Sequence, residues 1–242
     1  MIGILTGSGT YSLPGFSGGE PAEVATPFGP TFVSTGAFAG VDVLHISRHG
    51  EGHIRLSNHV PHLAHIAALK QLGASGILAV TVCGAVDPSV ELGSVVCFDD
   101  LHFLANRLGD GELCTFYPEP GDRRRGHWIF EAPFSADLRR ALLDGAAEAG
   151  VEIRGLAACG VTHVSQTGGP ETVLSGEAEL PYALLGYATD YANGVQDEAT
   201  PVQTLLDMMA ASTETFAAVL AAAVPRAAAI VPAPAGMVYR FE

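Results

Sequence analysis

Ile2-Gly3-Ile4-Leu5-Thr6-Gly7-Ser8-Gly9 is an apolar run of strand length that stops directly on a glycine-serine turn. The backbone N–H groups of such a turn and the Ser8 hydroxyl point off the carboxyl end of the strand, where open α/β sheets bind their ligands. The turn lacks the full G-x-G-x-x-G spacing, so it carries no dinucleotide signature. The same arrangement recurs twice along the chain. The apolar run 41–46 ends on Ser47-Arg48-His49-Gly50, and Ile77 to Val82 ends on Cys83-Gly84-Ala85. Two small-residue turns, an arginine fork and an imidazole are the equipment a tetrahedral oxyanion such as phosphate requires. Singly, each piece is ordinary: a tight turn, or a surface arginine after a strand. Their order and shared position at strand ends point to one anion pocket.

The rest of the chain extends this pattern. Strand-like runs at 2–5, 31–37, 41–46, 76–82, 94–98, 155–164, 183–188 and 227–231 alternate with helical patterns at 60–72, 135–149 and 200–223. Gly73 is a natural stop for the first helix, and Ser135 and Gly150 bracket the second. Thr200 is a candidate cap for the third, with Pro201 in its first turn. Alternation of this kind predicts an α/β fold, with a mixed, mostly parallel central sheet flanked by helices. A length of 242 residues suits one such domain over 1–242, without an internal repeat or linker. Segment 105–127 has no periodicity and reads as a long functional or mobile loop.

Composition narrows the function. A net charge of −14 repels nucleic acid and anionic lipid, so neither is an expected partner. An anionic substrate must then be held by a local positive pocket. The N-terminal apolar run lacks the basic flank of a secretion signal, and no window reads as a membrane span, the 217–229 region being broken by Pro225 and Arg226. Of the four cysteines, Cys83, Cys97 and Cys159 lie in apolar runs and read as buried free thiols. No CxxC pair occurs, and a cytoplasmic location is expected.

Six histidines fall within 21 residues, with His59, His62 and His65 spaced three apart. That spacing drifts around a helix and carries neither HExxH nor a CxxC partner, so no metal is expected. Asp190 follows the run 182–188 and so also lies at a strand end. A carboxyl there can hydrogen-bond a nitrogenous base, and a helix-capping or loop aspartate is the plainer alternative.

In order, these pieces resemble the trimeric purine nucleoside phosphorylases, above all their methylthioadenosine phosphorylase branch. The matching stretches are 2–9, Thr26-Pro27-Phe28-Gly29-Pro30, Arg48-His49-Gly50-Glu51-Gly52-His53, 67–73, Thr81-Val82-Cys83-Gly84-Ala85-Val86, 127–134, Gly168-Gly169-Pro170, and 181–183 leading to Ala188-Thr189-Asp190-Tyr191. They span nearly the whole chain. The resemblance implies that Ser8, Arg48, His49, Cys83, Gly84 and Ala85 hold phosphate. It implies that Asp190 and Ala192 face the purine and that His53 lies near the 5′ end of the nucleoside. His127 is expected in the 5′ pocket of a neighbouring subunit of a homotrimer. The implied reaction is phosphorolysis of 5′-methylthioadenosine or a similar 5′-modified nucleoside to free base and pentose 1-phosphate. Inorganic phosphate is co-substrate and no cofactor is needed. Asp190 is the catalytic candidate, protonating or hydrogen-bonding the departing purine.

The chain also departs from the family. Gly168-Gly169-Pro170 runs straight into Glu171-Thr172-Val173-Leu174, where about two dozen residues, roughly a helix and a strand, are expected. The ribose-binding methionine and a phosphate-binding threonine fall in that segment, so the junction at 170–171 reads as a deletion or an omitted segment. Pro61-His62-Leu63-Ala64-His65 replaces an Asn-Tyr-Arg-Ala-Asn run. Ala192 stands where the adenine-type enzymes carry a second aspartate, which is similar to the 6-oxopurine branch. Three alternatives follow: a 6-oxopurine (methylthioinosine or inosine) phosphorylase, a nucleoside hydrolase, and a non-catalytic nucleoside-binding homologue.

Overall fold

In a computed structural model, residues 1–153, 161–192 and 195–240 are described. The strands are β1 (Ile2–Thr6), β2 (Ser17–Gly18), β3 (Ala22–Thr26), β4 (Gly29–Phe38), β5 (Val41–Ser47), β6 (Gly76–Ala85), β7 (Val95–Cys97), β8 (Gly126–Ile129), β9 (His163–Val164), β10 (Tyr182–Tyr191) and β11 (Met237–Arg240). The helices are α1 (His62–Gln71), α2 (Ala136–Glu148), α3 (Gly168–Glu177) and α4 (Val202–Ala228). The main sheet runs β2-β4-β5-β1-β6-β10-β7, with β3 pairing β4 and β9 pairing β6; β8 and β11 form a separate ribbon. Its centre, β5-β1-β6-β10, is parallel, while β4, β7 and β9 join it antiparallel. The expected mixed, mostly parallel α/β sheet is therefore what the chain forms.

Residue alternation along the central strands builds two cores. Ile2, Ile4, Leu78, Val80, Ala183 and Leu185 face α2 and α4, where they meet Leu138, Leu142, Phe216, Val219 and Leu220. The intervening Leu5, Ile77, Ala79, Tyr182 and Leu184 face α1 and α3, against Ile66, Leu69 and Leu174. With both faces covered, these strands read as continuous apolar runs, as parallel strands buried on two sides must. Parallel register then places the carboxyl ends of β1, β5, β6 and β10 at one edge. Thr6 pairs Ser47, and the Arg48 N–H continues the ladder to the Thr6 carbonyl at 3.0 Å.

Helix limits follow the expected signals in two cases. Gly73, at φ 79°, ends the first helix after α1, and Ser135 caps α2 by accepting from the Leu138 N–H, with Gly150 at φ 70° beyond its end. Three expectations are corrected. Thr200 does not cap α4: its hydroxyl accepts from the Tyr191 N–H at 3.1 Å, and Pro201 holds the cap position. The run 227–231 is not a strand, because α4 continues through Pro225 to Ala228; its alanines favour helix, and Arg226 bonds back to the Ala222 carbonyl. By length and composition α4 is also apolar enough to cross a membrane, contrary to the expectation that no window is. Its C-terminal part packs on the sheet through Phe216, Val219, Leu220, Ala223, Val224 and Ala227, while Val202 and Leu206 near its start are exposed.

Gly168-Gly169-Pro170 forms the first turn of α3. Proline is tolerated there because the first N–H groups of a helix lack intrahelical partners. The glycines are required by close packing: a Cβ would come within 2.8 Å of Leu184 at Gly168 and 2.5 Å of Phe103 at Gly169. The 170–171 junction thus lies inside a continuous helix. Of the expected strand 155–164, residues 161–164 are described, and of these His163–Val164 form β9. Cys159 lies outside them, while Cys83, Cys97 and Cys114 are buried free thiols.

Candidate active site

The strand ends enclose a cavity of about 340 Å³ lined by Gly7 and Ser8 after β1, Arg48 and His49 after β5, Cys83 and Gly84 of β6, and Asp190 of β10. Six of the expected site residues therefore share one cavity. A register shift between Ala188 and Asp190 sets Asp190 opposite Gly84, where a Cβ on Gly84 would lie 3.6 Å from Asp190 Oδ2. The Thr189 hydroxyl donates to Asp190 Oδ1 at 2.7 Å and fixes the carboxyl. Cys83 is buried and its thiol is pushed up by burial, then by Asp190; with its sulfur directed toward Gly186, it serves the cavity through its backbone.

The remaining expected residues are placed elsewhere. Ala85 does not line this cavity, and its carbonyl accepts from the Ala192 N–H at 2.8 Å. That bond holds Ala192 beside the β6 end, also outside the lining. His53 lines an adjoining cavity of about 700 Å³ that shares Ser8, Ser57 and Gln166 with the first. Its Nδ1 is 2.8 Å from the Tyr11 hydroxyl. His127 is exposed on β8, on the separate ribbon, and faces neither cavity. Among the described residues, His59, His62 and His65 form no cluster able to hold a metal ion.

Arg48 requires the main correction. Its fork does not stand open to an anion. Nε and Nη2 close on the two oxygens of Glu171, the latter at 2.7 Å, and Nη1 donates to the Val80 carbonyl at 2.7 Å. Arg48 and Glu171 are both fully buried. A guanidinium at that depth must be paired, because an isolated buried charge is prohibitively costly. Tyr182 donates to Glu171 Oε2 at 2.8 Å, and His62 Nδ1 lies 3.6 Å from Oε1. Burial alone pushes the Glu171 carboxyl up, but the charge and hydrogen bonds of Arg48, with His62 nearby, hold it well below the usual carboxylate range. Arg48 still lines the cavity, and Nη1 and Nη2 each carry a second N–H beyond these bonds.

Glu171 was not legible as a site residue, since it stood at the 170–171 junction and outside every motif singled out. Ser57, Thr81, Gln166, Thr167 and Thr189 also line the cavity without having been singled out. Thr81 and Thr189 sit inside the motifs that flank the site, which was the one available signal. Ser57, Gln166 and Thr167 come from loop and cap positions with no pattern of their own.

Four parallel strand ends around one polar-lined cavity define an α/β protein with its candidate ligand site at the carboxyl edge of the sheet. The chain belongs to the phosphorylase superfamily, whose family model matches residues 1–160. A probable 6-oxopurine nucleoside phosphorylase of Thermococcus kodakarensis is 30% identical over 86% of this chain and 86% of that protein. The S-methyl-5′-thioadenosine phosphorylase of Geobacter sulfurreducens is 31% identical over 79% of this chain and 72% of its own. The structure of Schistosoma mansoni methylthioadenosine phosphorylase in complex with adenine superposes with a TM-score of 0.79 at 26% identity, covering 95% of this chain and 92% of that one.

Proposed function

We propose that this protein cleaves a purine nucleoside with inorganic phosphate as the nucleophile, releasing free base and pentose 1-phosphate. The carrying observation is the convergence of Ser8, Arg48, His49, Gly84 and Asp190 on one cavity. Phosphate occupies the Ser8–Arg48–His49–Gly84 end and attacks C1′ as the bond to N9 breaks. Its negative charge stabilises the oxocarbenium character of the sugar. Asp190, on β10 beside Gly84, faces the purine and hydrogen-bonds or protonates the departing base at N7. The roles of these residues belong to the proposal, as do the absence of a cofactor and the domain limits 1–242.

The substrate proposed is 5′-methylthioadenosine or a similar 5′-modified nucleoside, supported by the methylthioadenosine phosphorylases among the relatives. A 6-oxopurine nucleoside is the second reading, favoured by Ala192 and by the relatives named 6-oxopurine nucleoside phosphorylases. A homotrimer is proposed on the exposed ribbon that carries His127, where Ile129, Phe130, Met237 and Tyr239 are also exposed. Its salvage role and cytoplasmic location rest on the family likeness and on three buried thiols suited to a reducing compartment. Incubation with methylthioadenosine and with inosine, each with and without phosphate, tests the reading. Base release that requires phosphate supports it; release indifferent to phosphate, with free sugar as product, replaces it with hydrolysis.

A further inference from the structure

Segment 105–127, which carries no periodicity, folds against the site at its start. Residues 106–114 turn back as a short hairpin: Arg107 bridges Leu113 antiparallel, and the Cys114 N–H bonds to the Asn106 carbonyl at 3.2 Å. Cys114 is buried in the core and anchors one leg. At the tip, the Gly109 backbone meets the loop before α1, where a Cβ would fall 2.1 Å from the Asn58 carbonyl oxygen. Glycine is what permits that approach.

The hairpin is thereby held against the cavity of about 700 Å³ that adjoins the strand-end cavity through Ser8, Ser57 and Gln166. Arg107 lines this second cavity from the hairpin, His53 from the turn after β5, and His62 from the first turn of α1. Arg107 Nη1 donates to the Gly111 carbonyl at 2.8 Å, which steadies the fork, and its other N–H groups have no partner among the described residues. His62 is buried with its Nδ1 unpartnered, and Glu171, 3.6 Å behind it, is already matched by Arg48. Among the described residues no aspartate or glutamate lines the cavity, although the chain carries 26 acidic residues against 12 Lys and Arg. A fixed cation and two imidazoles without a lining carboxylate make a chamber that favours an anion inside an acidic protein.

We infer that this second cavity holds the 5′ end of the nucleoside and selects substrates whose 5′ substituent ends in an anion, phosphate or carboxylate. With inorganic phosphate at the Ser8–Arg48 end and the purine at Asp190, the sugar lies between them, and its 5′ carbon leaves the first cavity across the Ser8–Ser57 wall. A methylthio group there leaves the Arg107 fork to water and fills little of the space. An anionic group takes the free N–H groups of that fork in a charge-assisted bond. The inference narrows the 5′-modified nucleosides proposed above to anionic ones, and it rests on the reading of the first cavity as a nucleoside and phosphate site.

Phosphate-dependent base release by the full-length protein tests it on two pairs of nucleosides that differ in charge at 5′. One pair is adenosine-5′-carboxylate and adenosine-5′-carboxamide, which share a shape; the other is adenosine 5′-monophosphate and adenosine. The inosine counterparts are run beside them. The anionic member should have a kcat/KM roughly ten- to a hundredfold above its neutral partner, the range for hydrogen bonds to a charged group. That advantage should shrink as salt rises. Preference confined to the monophosphate assigns the end group as phosphate, and preference confined to the carboxylate assigns it as a carboxyl. Arg107 is exposed, so its replacement leaves the core intact. Arg107→Gln should bring the two members of the preferred pair to within about threefold, and Arg107→Lys, which keeps the charge without the fork, should restore part of the difference. Anionic members used no better than neutral ones in both pairs overturn the inference and leave phosphorolysis standing. A preference undiminished in Arg107→Gln overturns it as well. No phosphate-dependent release from any of these nucleosides removes the phosphorolysis reading, and the inference with it.

Discussion

Replacing Glu171 by glutamine keeps the shape of the side chain but removes the charge that faces Arg48. The fork of Arg48 would then meet one neutral oxygen and one amide group, and the Tyr182 hydroxyl, now 2.8 Å from a carboxylate oxygen, would lose its ionic acceptor. Both partners are buried beyond the reach of solvent screening, so the full cost of an uncompensated charge applies. Breaking a buried pair from one side costs about 3–5 kcal/mol. For a domain of this length each kcal/mol lowers Tm by roughly 2–4 °C, so Glu171→Gln should lose about 6–20 °C. Differential scanning calorimetry reads the shift. The double variant Arg48→Met/Glu171→Leu, which removes the charges together, should recover most of the stability while leaving phosphorolysis abolished. A Tm for Glu171→Gln within about 2 °C of the unaltered protein would refute the claim that Glu171 neutralises a buried cation. So would strict additivity in the double variant.

Two further outcomes follow from the same structure. His45 and His65 are buried, and burial pulls them down to about 4 and about 3. Their neutral forms are favoured on folding, so below the ordinary histidine pKa of about 6.5 the unfolded chain binds protons that the folded chain refuses. Stability should fall as pH drops from about 6.5 toward 4, by up to about 3 kcal/mol per pH unit for the two together. Urea midpoints at several pH values check this, and His65→Leu should flatten the dependence. Asp190→Asn should lower kcat by about two to four orders of magnitude on 6-aminopurine nucleosides and shift relative preference toward 6-oxopurines. Unchanged relative kcat/KM for the two base classes would remove Asp190 from the base wall.

Local pattern in the sequence determined the alternation of strands and helices, the parallel sheet and the strand-end turns. Ile2–Leu5, Ile77–Val82 and 183–188 are apolar on both faces, which leaves a doubly covered strand as their natural state. Because parallel strands share one carboxyl edge, Ser8, Arg48, Gly84 and Asp190 could be assigned to a common site before any distance was known. Helix α3 was not legible because its glycines, proline and β-branched residues follow packing rather than propensity, and 227–231 was misread because Pro225 reads as a helix stop although the alanines after it favour helix. Tertiary structure alone decided what Arg48 touches. Its partner Glu171 lies 123 residues away in sequence, on a helix that begins with two glycines and a proline. Long-range electrostatic pairing of this kind leaves no local pattern in the chain; it arises only when burial removes water and each charge must find its complement.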